Sequence, residues 1–214
     1  MTELLALARP VLAEAFQLWG SPVTWLEIAA FVLSLAMVAC NMRVNPLGWP
    51  LAIASSLAYA LLFANSRLYG EAGLQLFFVA VSLWGWWQWL AGRSADGSRL
   101  DVHRTDRRTA GLALAATVLL WGLLGLLLGR GTDSDVPWLD ALATAGSIVG
   151  QVMLGRKLIE NWAVWLAVNL FSTALFAVKG LWLTVLRYAL FAVLSAAGWL
   201  AWRRRLPPPE PARA

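Results

Sequence analysis

The sequence predicts an all-α membrane protein. Seven transmembrane helices form two parallel three-helix repeats joined by a linking helix, and an N-terminal interfacial helix precedes them. Three observations predict this fold class. Of 214 residues, 60% are apolar and 14% charged, with a mean hydropathy of +0.65; soluble domains sit near ~45–50% apolar and ~25% charged. Seven apolar runs are each long enough to cross a bilayer. The chain also matches itself, without a gap, at a shift of 113 residues, which places Trp25 on Trp138.

Residues 1–24 come first. Leu4, Ala8, Leu12, Ala15 and Trp19 recur at helical spacing, while Glu3, Arg9, Pro10 and Glu14 interrupt them. The stretch lacks the basic start and small-residue exit of a signal peptide. It reads as a helix lying in the membrane interface.

A bilayer core of ~30 Å needs roughly 20 apolar residues per helix. The qualifying runs are 25–42, 48–66, 71–91, 109–129, 137–155, 161–178 and 180–202. Turn residues or charges separate them: Arg43-Val44-Asn45-Pro46, Ser66-Arg67, Gly131-Thr132-Asp133, Arg156-Lys157 and Lys179-Gly180. Backbone groups in lipid need internal partners, so the runs are helices. The expected organisation is an interfacial segment (1–24), a first repeat (25–91) and a basic cytoplasmic loop (92–108). A linking helix (109–129), a second repeat (137–202) and a basic, proline-rich tail (203–214), expected to be disordered, complete it.

Charge sets the orientation. Arg43, Arg93, Arg99, Arg104, Arg107, Arg108, Arg156, Lys157, Arg203, Arg204, Arg205 and Arg213 fall on one face, against Arg9, Arg67, Arg130 and Lys179 on the other. The excess of basic residues inside places the N-terminus outside and the C-terminus in the cytoplasm of a bacterial inner membrane. The net charge of +5 is thus a topology signal, and no nucleic-acid partner is expected.

Chemistry is scarce. Cys40 is the sole cysteine and His103 the sole histidine, so neither a disulfide nor a thiolate metal cluster is available. His103 lies among charges and reads as a solvated loop residue. With no nucleophile–base pair and no metal ligands in the spans, no enzyme, cofactor or metal is expected. Glu27, Glu71, Asp140 and Glu160 all sit at span ends, so the buried acidic relay common in proton-coupled carriers is missing. Arg187 alone stands well inside a predicted span.

The internal match covers 17 identities over residues 25–89. Leu and Ala matches in apolar helices carry little weight. The pairs Trp25/Trp138, Trp49/Trp162, Trp86/Trp199 and Trp89/Trp202, with Ser82/Ser195 and Gly85/Gly198, carry more. One intervening span restores the starting side, so the repeats run in the same direction, which is one of the known transporter plans.

Each repeat-matched tryptophan also suits the aromatic belt at headgroup level. Trp165 lies one turn deeper than Trp162. Trp162, Trp165, Asn169 and Thr173 step by three, four and four, which is one helical stripe. Such a stripe serves either a polar helix–helix contact or a cavity for a flat polar ring. Comparable faces carry Asn45, Trp49 and Tyr59 on the second span, Trp86 and Gln88 on the third, and Gln151 on the fifth. These ten residues are the candidate substrate site.

NMRVNPLGWP (41–50), LWGWWQW (83–89), ENWAVWLAVN (160–169) and KGLWLTVLRYALF (179–191) resemble the Pnu vitamin-transporter family, whose best-known branch comprises the nicotinamide riboside transporters. The resemblance covers residues 25–202. It implies a fold similar to the SWEET sugar carriers, three helices, a linking helix and three more. It also implies facilitated diffusion of an unphosphorylated vitamin precursor, trapped afterwards by a cytoplasmic kinase without a required stable complex. Nicotinamide riboside is the leading substrate, with thiamine and riboflavin as alternatives. Outside the family, a membrane receptor that binds without transporting is the rival. The resemblance places Trp162, Trp165 and Asn169 in the site, with the two rings sandwiching a cationic ring by stacking and cation–π attraction. The partners are then the vitamin and the lipid bilayer, and a homo-oligomer stays open.

The topology is directly testable. A reporter fused after Arg205 is expected in the cytoplasm, and one inserted near Thr132 outside. The opposite pattern would invert the assignment of inner and outer helix ends.

Overall fold

The computed structural model describes residues 9–18, 21–65, 69–93, 97–98, 100–131, 136–178, 180 and 182–206. Expectations for residues 1–8, for Trp19, for the breaks at 66–67 and 132–133, for Lys179 and for the tail from residue 207 lie outside them. Among the described residues are seven long helices: α2 (Trp25–Met42), α3 (Gly48–Asn65), α4 (Tyr69–Ala91), α5 (Arg107–Gly131), α6 (Pro137–Gly155), α7 (Asn161–Val178) and α8 (Trp182–Arg203). They follow the seven apolar runs to within a few residues. Five are long and apolar enough to cross a membrane by length and composition: α2, α3, α5, α7 and, within α8, Thr184–Arg203.

The N-terminal expectation needs correction. Among the described residues of this segment, α1 (Arg9–Leu12) is helical, whereas β1 (Glu14–Leu18) and β2 (Ser21–Thr24) pair as an antiparallel hairpin. Pro22 accounts for the change, because it lacks an N–H and would break a helix continued through it. Pro22 stands opposite Gln17 in the two-stranded hairpin, where both strands are edges, the place in a sheet that tolerates proline. Thr24 then caps α2, its Oγ1 accepting from the Glu27 N–H at 3.2 Å.

The chain divides into two compact units, residues 1–90 and 91–214. In the first, α2 packs on α3. The buried Ser55 hydroxyl crosses between them to donate to the Ala30 carbonyl at 2.9 Å, where Ala30 is fully buried and lets the backbones approach. In the second, α5 packs on α6, α6 on α7, and α7 on α8. Val149, Met153 and Leu158 form a cluster against which Ala113, Ala116 and Leu120 of α5 pack, together with Val164. Elsewhere α5 exposes Leu112, Leu114, Leu119, Leu123 and Leu127, as a lipid-facing helix does.

Each unit contains the same clasp. Trp49 meets Trp89 edge-on, centroids 5.5 Å apart at 86°, and Trp162 meets Trp202 at 5.6 Å and 88°. In each case the ring also lies on a glycine of the following helix: a Cβ on Gly85 would overlap Trp49, and one on Gly198 would overlap Trp162. Edge-to-face pairing suits the indole quadrupoles, and a small residue opposite lets a large ring into a helix interface.

The turns before these tryptophans also agree. Arg43 has φ −85° and ψ 1°, and Arg156 has φ −84° and ψ 3°. Val44 and Lys157 both adopt the left-handed region, at φ 56° and 54°. That conformation is uncommon for a β-branched residue, so its recurrence marks a turn fixed by its surroundings. The Val44 N–H donates to Asn41 O and the Asn45 N–H to Cys40 O; Lys157 N–H donates to Leu154 O and Leu158 N–H to Met153 O, the same pattern 113 residues on. The repeat is therefore physical as well as textual.

The glycine in the clasp can be probed. Gly198→Ala is expected to cost ~1–3 kcal/mol through overpacking, seen as a lower melting temperature in detergent. Gly122→Ala in α5, where a Cβ would meet nothing within 4 Å, is expected to show no loss. Equal stability of the two variants would contradict the clasp.

Candidate functional site

The stripe predicted on the sixth run occupies α7 in the second unit, and its members fare differently. Trp162 is 4% exposed. It lies against Gly198 and meets Trp202 edge-on, as described above. Its Nε1–H has no acceptor among the described residues. One ring is thus committed to packing, and the expected sandwich of Trp162 and Trp165 is divided. Trp165 is only half-buried. Its indole passes over Gly150 of α6, whose Cβ, if present, would lie 3.3 Å from Cε2 and Nε1. Gln151, next along α6, is buried.

Asn169 is buried one turn deeper than Trp165. Its Nδ2 donates to the Ser195 hydroxyl of α8 at 3.2 Å, and that hydroxyl donates to the Phe191 carbonyl at 2.7 Å. Thr173 donates to the Asn169 carbonyl at 2.7 Å. Ser172, also buried, stands between them in sequence. The amide is therefore oriented by α8, with its donor end used inside the protein. An amide oxygen has two acceptor positions and the NH2 two donors, so capacity for a ligand remains. Sequence reading missed the importance of Ser195 in this orientation, although the repeat match with Ser82 had singled it out. Ser82 and Ser195 are both buried.

The first unit holds the other five candidates. Trp49 is 1% exposed in its own clasp, with its Nε1–H lacking an acceptor among the described residues. Asn45 uses its Oδ1 to accept from the Leu47 N–H at 3.0 Å, a turn role. Tyr59 stacks on Phe63 of the same helix at 6.0 Å and 23°. Trp86 and Gln88 are half-buried on α4. Asn45 lies in the turn before α3, Trp49 in its first turn and Tyr59 in its second half, so the three do not form one cluster with each other.

Arg187, the one cation expected inside a span, places its guanidinium 5.1 Å from the Tyr188 ring centroid. Tyr188 in turn stacks on Phe176 of α7 at 5.4 Å and 8°. The aromatic face spreads and lowers the cost of the charge at this depth.

The internal repeat separates scaffold from specialisation. Trp162, Ser195, Gly198 and Trp202 have identical partners in Trp49, Ser82, Gly85 and Trp89, whereas Trp165, Asn169 and Thr173 align with Ala52, Ser56 and Ala60. The large aromatic and the amide are found in the second repeat alone.

Comparison with known proteins identifies the family. The profile of the Nicotinamide mononucleotide transporter family matches residues 24–204. The riboflavin/roseoflavin transporter RibM of Streptomyces davaonensis is 30% identical over 89% of this chain and 90% of its own. The nicotinamide riboside transporter PnuC of Escherichia coli is 22% identical over 86% and 87%. A crystal structure of the vitamin B3 transporter PnuC superposes with a TM-score of 0.67 at 25% identity, covering 84% of this chain and 81% of that one. With the family profile spanning most of its length and all of its long helices, the chain belongs to the Nicotinamide mononucleotide transporter family and is a multi-pass membrane transporter, not an enzyme.

Proposed function

We propose that the protein is an inner-membrane uniporter for an unphosphorylated, ring-bearing vitamin precursor, nicotinamide riboside in the first place. The single observation that carries the proposal is the asymmetry just described. Two repeats share a tryptophan–glycine clasp, and the second adds Trp165 and Asn169 on the same helix face. A scaffold needs only the shared set. In this reading Trp165 stacks on the substrate ring, and a pyridinium adds a cation–π contribution of ~0.5–2 kcal/mol. Asn169, Gln151 and Thr173 hydrogen-bond a carboxamide or ribose hydroxyls. The relatives support a vitamin-sized aromatic substrate: some are named for nicotinamide riboside and one for riboflavin.

The same reading runs α2–α4 and α6–α8 as parallel repeats joined by α5, with the N-terminus outside and the C-terminus in the cytoplasm. Transport is downhill, since the carboxylates Glu27, Asp140 and Glu160 lie at or beside helix ends and offer no buried relay. A cytoplasmic kinase then traps the product by phosphorylation without a stable complex. A ligand can shift two access states only by its differential affinity for them, so a carrier of this kind equilibrates.

Two experiments test these statements. Trp165→Ala is expected to weaken nicotinamide riboside binding by ~1–3 kcal/mol, with stacking on nucleobases as the nearest measured analogue. Trp182→Leu, an exposed ring at the start of α8, is expected to bind as the parent does. A Trp165→Ala protein that inserts normally and keeps full affinity would remove the ring from the site. In proteoliposomes, labelled substrate is expected to fill until inside and outside concentrations match. An imposed proton or sodium gradient is expected to change nothing, while an enclosed riboside kinase with ATP raises total label further. Gradient-driven accumulation in kinase-free vesicles would overturn uniport.

A further inference from the structure

The segment between α4 and α5 is more than a basic loop. Leu100 and Val102 are buried, and the chain from Leu100 to Thr105 runs along the turn Lys157–Glu160 that joins α6 to α7. The His103 N–H donates to the Lys157 carbonyl at 3.2 Å, and the Ile159 N–H donates to the His103 carbonyl at 3.0 Å. Two side chains reinforce this. Lys157 Nζ donates to the Leu100 carbonyl at 2.8 Å, and Glu160 Oε2 accepts from both the N–H and the hydroxyl of Thr105, at 2.8 and 2.6 Å. One residue further, Asp106 caps α5 by accepting from the Thr109 N–H at 2.6 Å. The Thr109 hydroxyl, then its amide, hold the Asp106 carboxyl below the ordinary carboxylate range.

Lys157 is one of the basic residues that set the expected orientation. It is 4% exposed, and burying an ammonium is costly unless it is hydrogen-bonded. The first repeat shows that the turn itself does not require it. Val44 occupies the equivalent position at nearly the same φ with the same turn hydrogen bonds, and Leu47 stands where Glu160 does. Leu47 is 60% exposed. An identical turn thus folds with Val and Leu at these two places, so the Lys and Glu of the second repeat serve the strap rather than the turn.

We propose that Lys157 and Glu160 are positioning residues that hold residues 100–105 as a strap, fastening α5 to the α6–α7 turn so that the three move as one body during transport. Leu158 supports this from beneath, since it belongs to the cluster that packs on Ala113, Ala116 and Leu120 of α5. Holding the strap is independent of substrate identity; its consequence for transport rests on the carrier reading above.

The test replaces each residue by its counterpart in the first repeat. In a Cys40→Ala, Val102→Cys background, full-length protein carrying Lys157→Val and Glu160→Leu is purified in detergent and reacted with a maleimide. Loss of hydrogen bonds to two charged groups is expected to speed labelling of residue 102 about tenfold or more. After reconstitution, nicotinamide riboside uptake is expected to slow several-fold while binding affinity stays at the parent value. A merely structural loss would lower the folded fraction and leave the rate per folded molecule intact. Unchanged labelling would overturn the clasp by Lys157 and Glu160, and faster labelling with an unchanged uptake rate would overturn the mechanical role. If the double replacement does not fold, Thr105→Val removes one of the two donors to Glu160 and is judged by the same two readings. Labelling needs no substrate, so a negative result there is distinct from failure of the transport assignment.

Discussion

Each unit depends on one contact, a buried tryptophan laid on a glycine and closed by a second tryptophan edge-on. In lipid the hydrophobic effect does little to bring helices together, because the tails are as apolar as leucine. Association must come from close packing and from hydrogen bonds. The glycines at 85 and 198 remove the Cβ that would block approach, and the rings of Trp49 and Trp162 fill the space gained. Dispersion then acts over a large flat surface at contact distance. The serines at 82 and 195, buried one turn before each glycine, add the polar component.

A duplicated scaffold leaves the chain free to diverge elsewhere, and two differences between the repeats stand out. At the turns after α2 and α6, Val44 and Leu47 in one repeat correspond to Lys157 and Glu160 in the other, and the charged pair receives a neighbouring extended segment. On the middle helices, Ala52 and Ser56 correspond to Trp165 and Asn169. Both changes fall in the second repeat, and both are expensive in an apolar medium unless satisfied by partners. Asn169 is oriented by Ser195, and Lys157 by a carbonyl of the strap.

The candidate site illustrates how burial divides residues that look alike in sequence. Trp162 and Trp165 stand three apart on one stripe and share one chemistry. The first is enclosed by α8, whereas the second faces α6 across Gly150 and stays half open. Their roles diverge because two different helices cover them. A ring wedged against its own scaffold transmits position, and a ring with a free face can meet a ligand.

The seven long helices were legible from the sequence because the bilayer imposes a length and forbids unpaired backbone, so apolar runs broken by charge read as helices. The repeat was legible because tryptophan is rare and its recurrence at 49 and 162, 86 and 199, 89 and 202 is hard to produce by chance composition. Three things waited for the tertiary structure. The hairpin of residues 14–18 and 21–24 was hidden because the sequence from Leu4 to Trp19 keeps a rough helical spacing, and Pro22 stops a helix from continuing through it. The division of Trp162 from Trp165 depends on which neighbour covers each ring, which helical periodicity along one segment does not contain. The strap pairs residues 100–105 with 157–160, more than fifty positions apart, and no local pattern encodes a contact whose partners meet only after α5, α6 and α7 have packed.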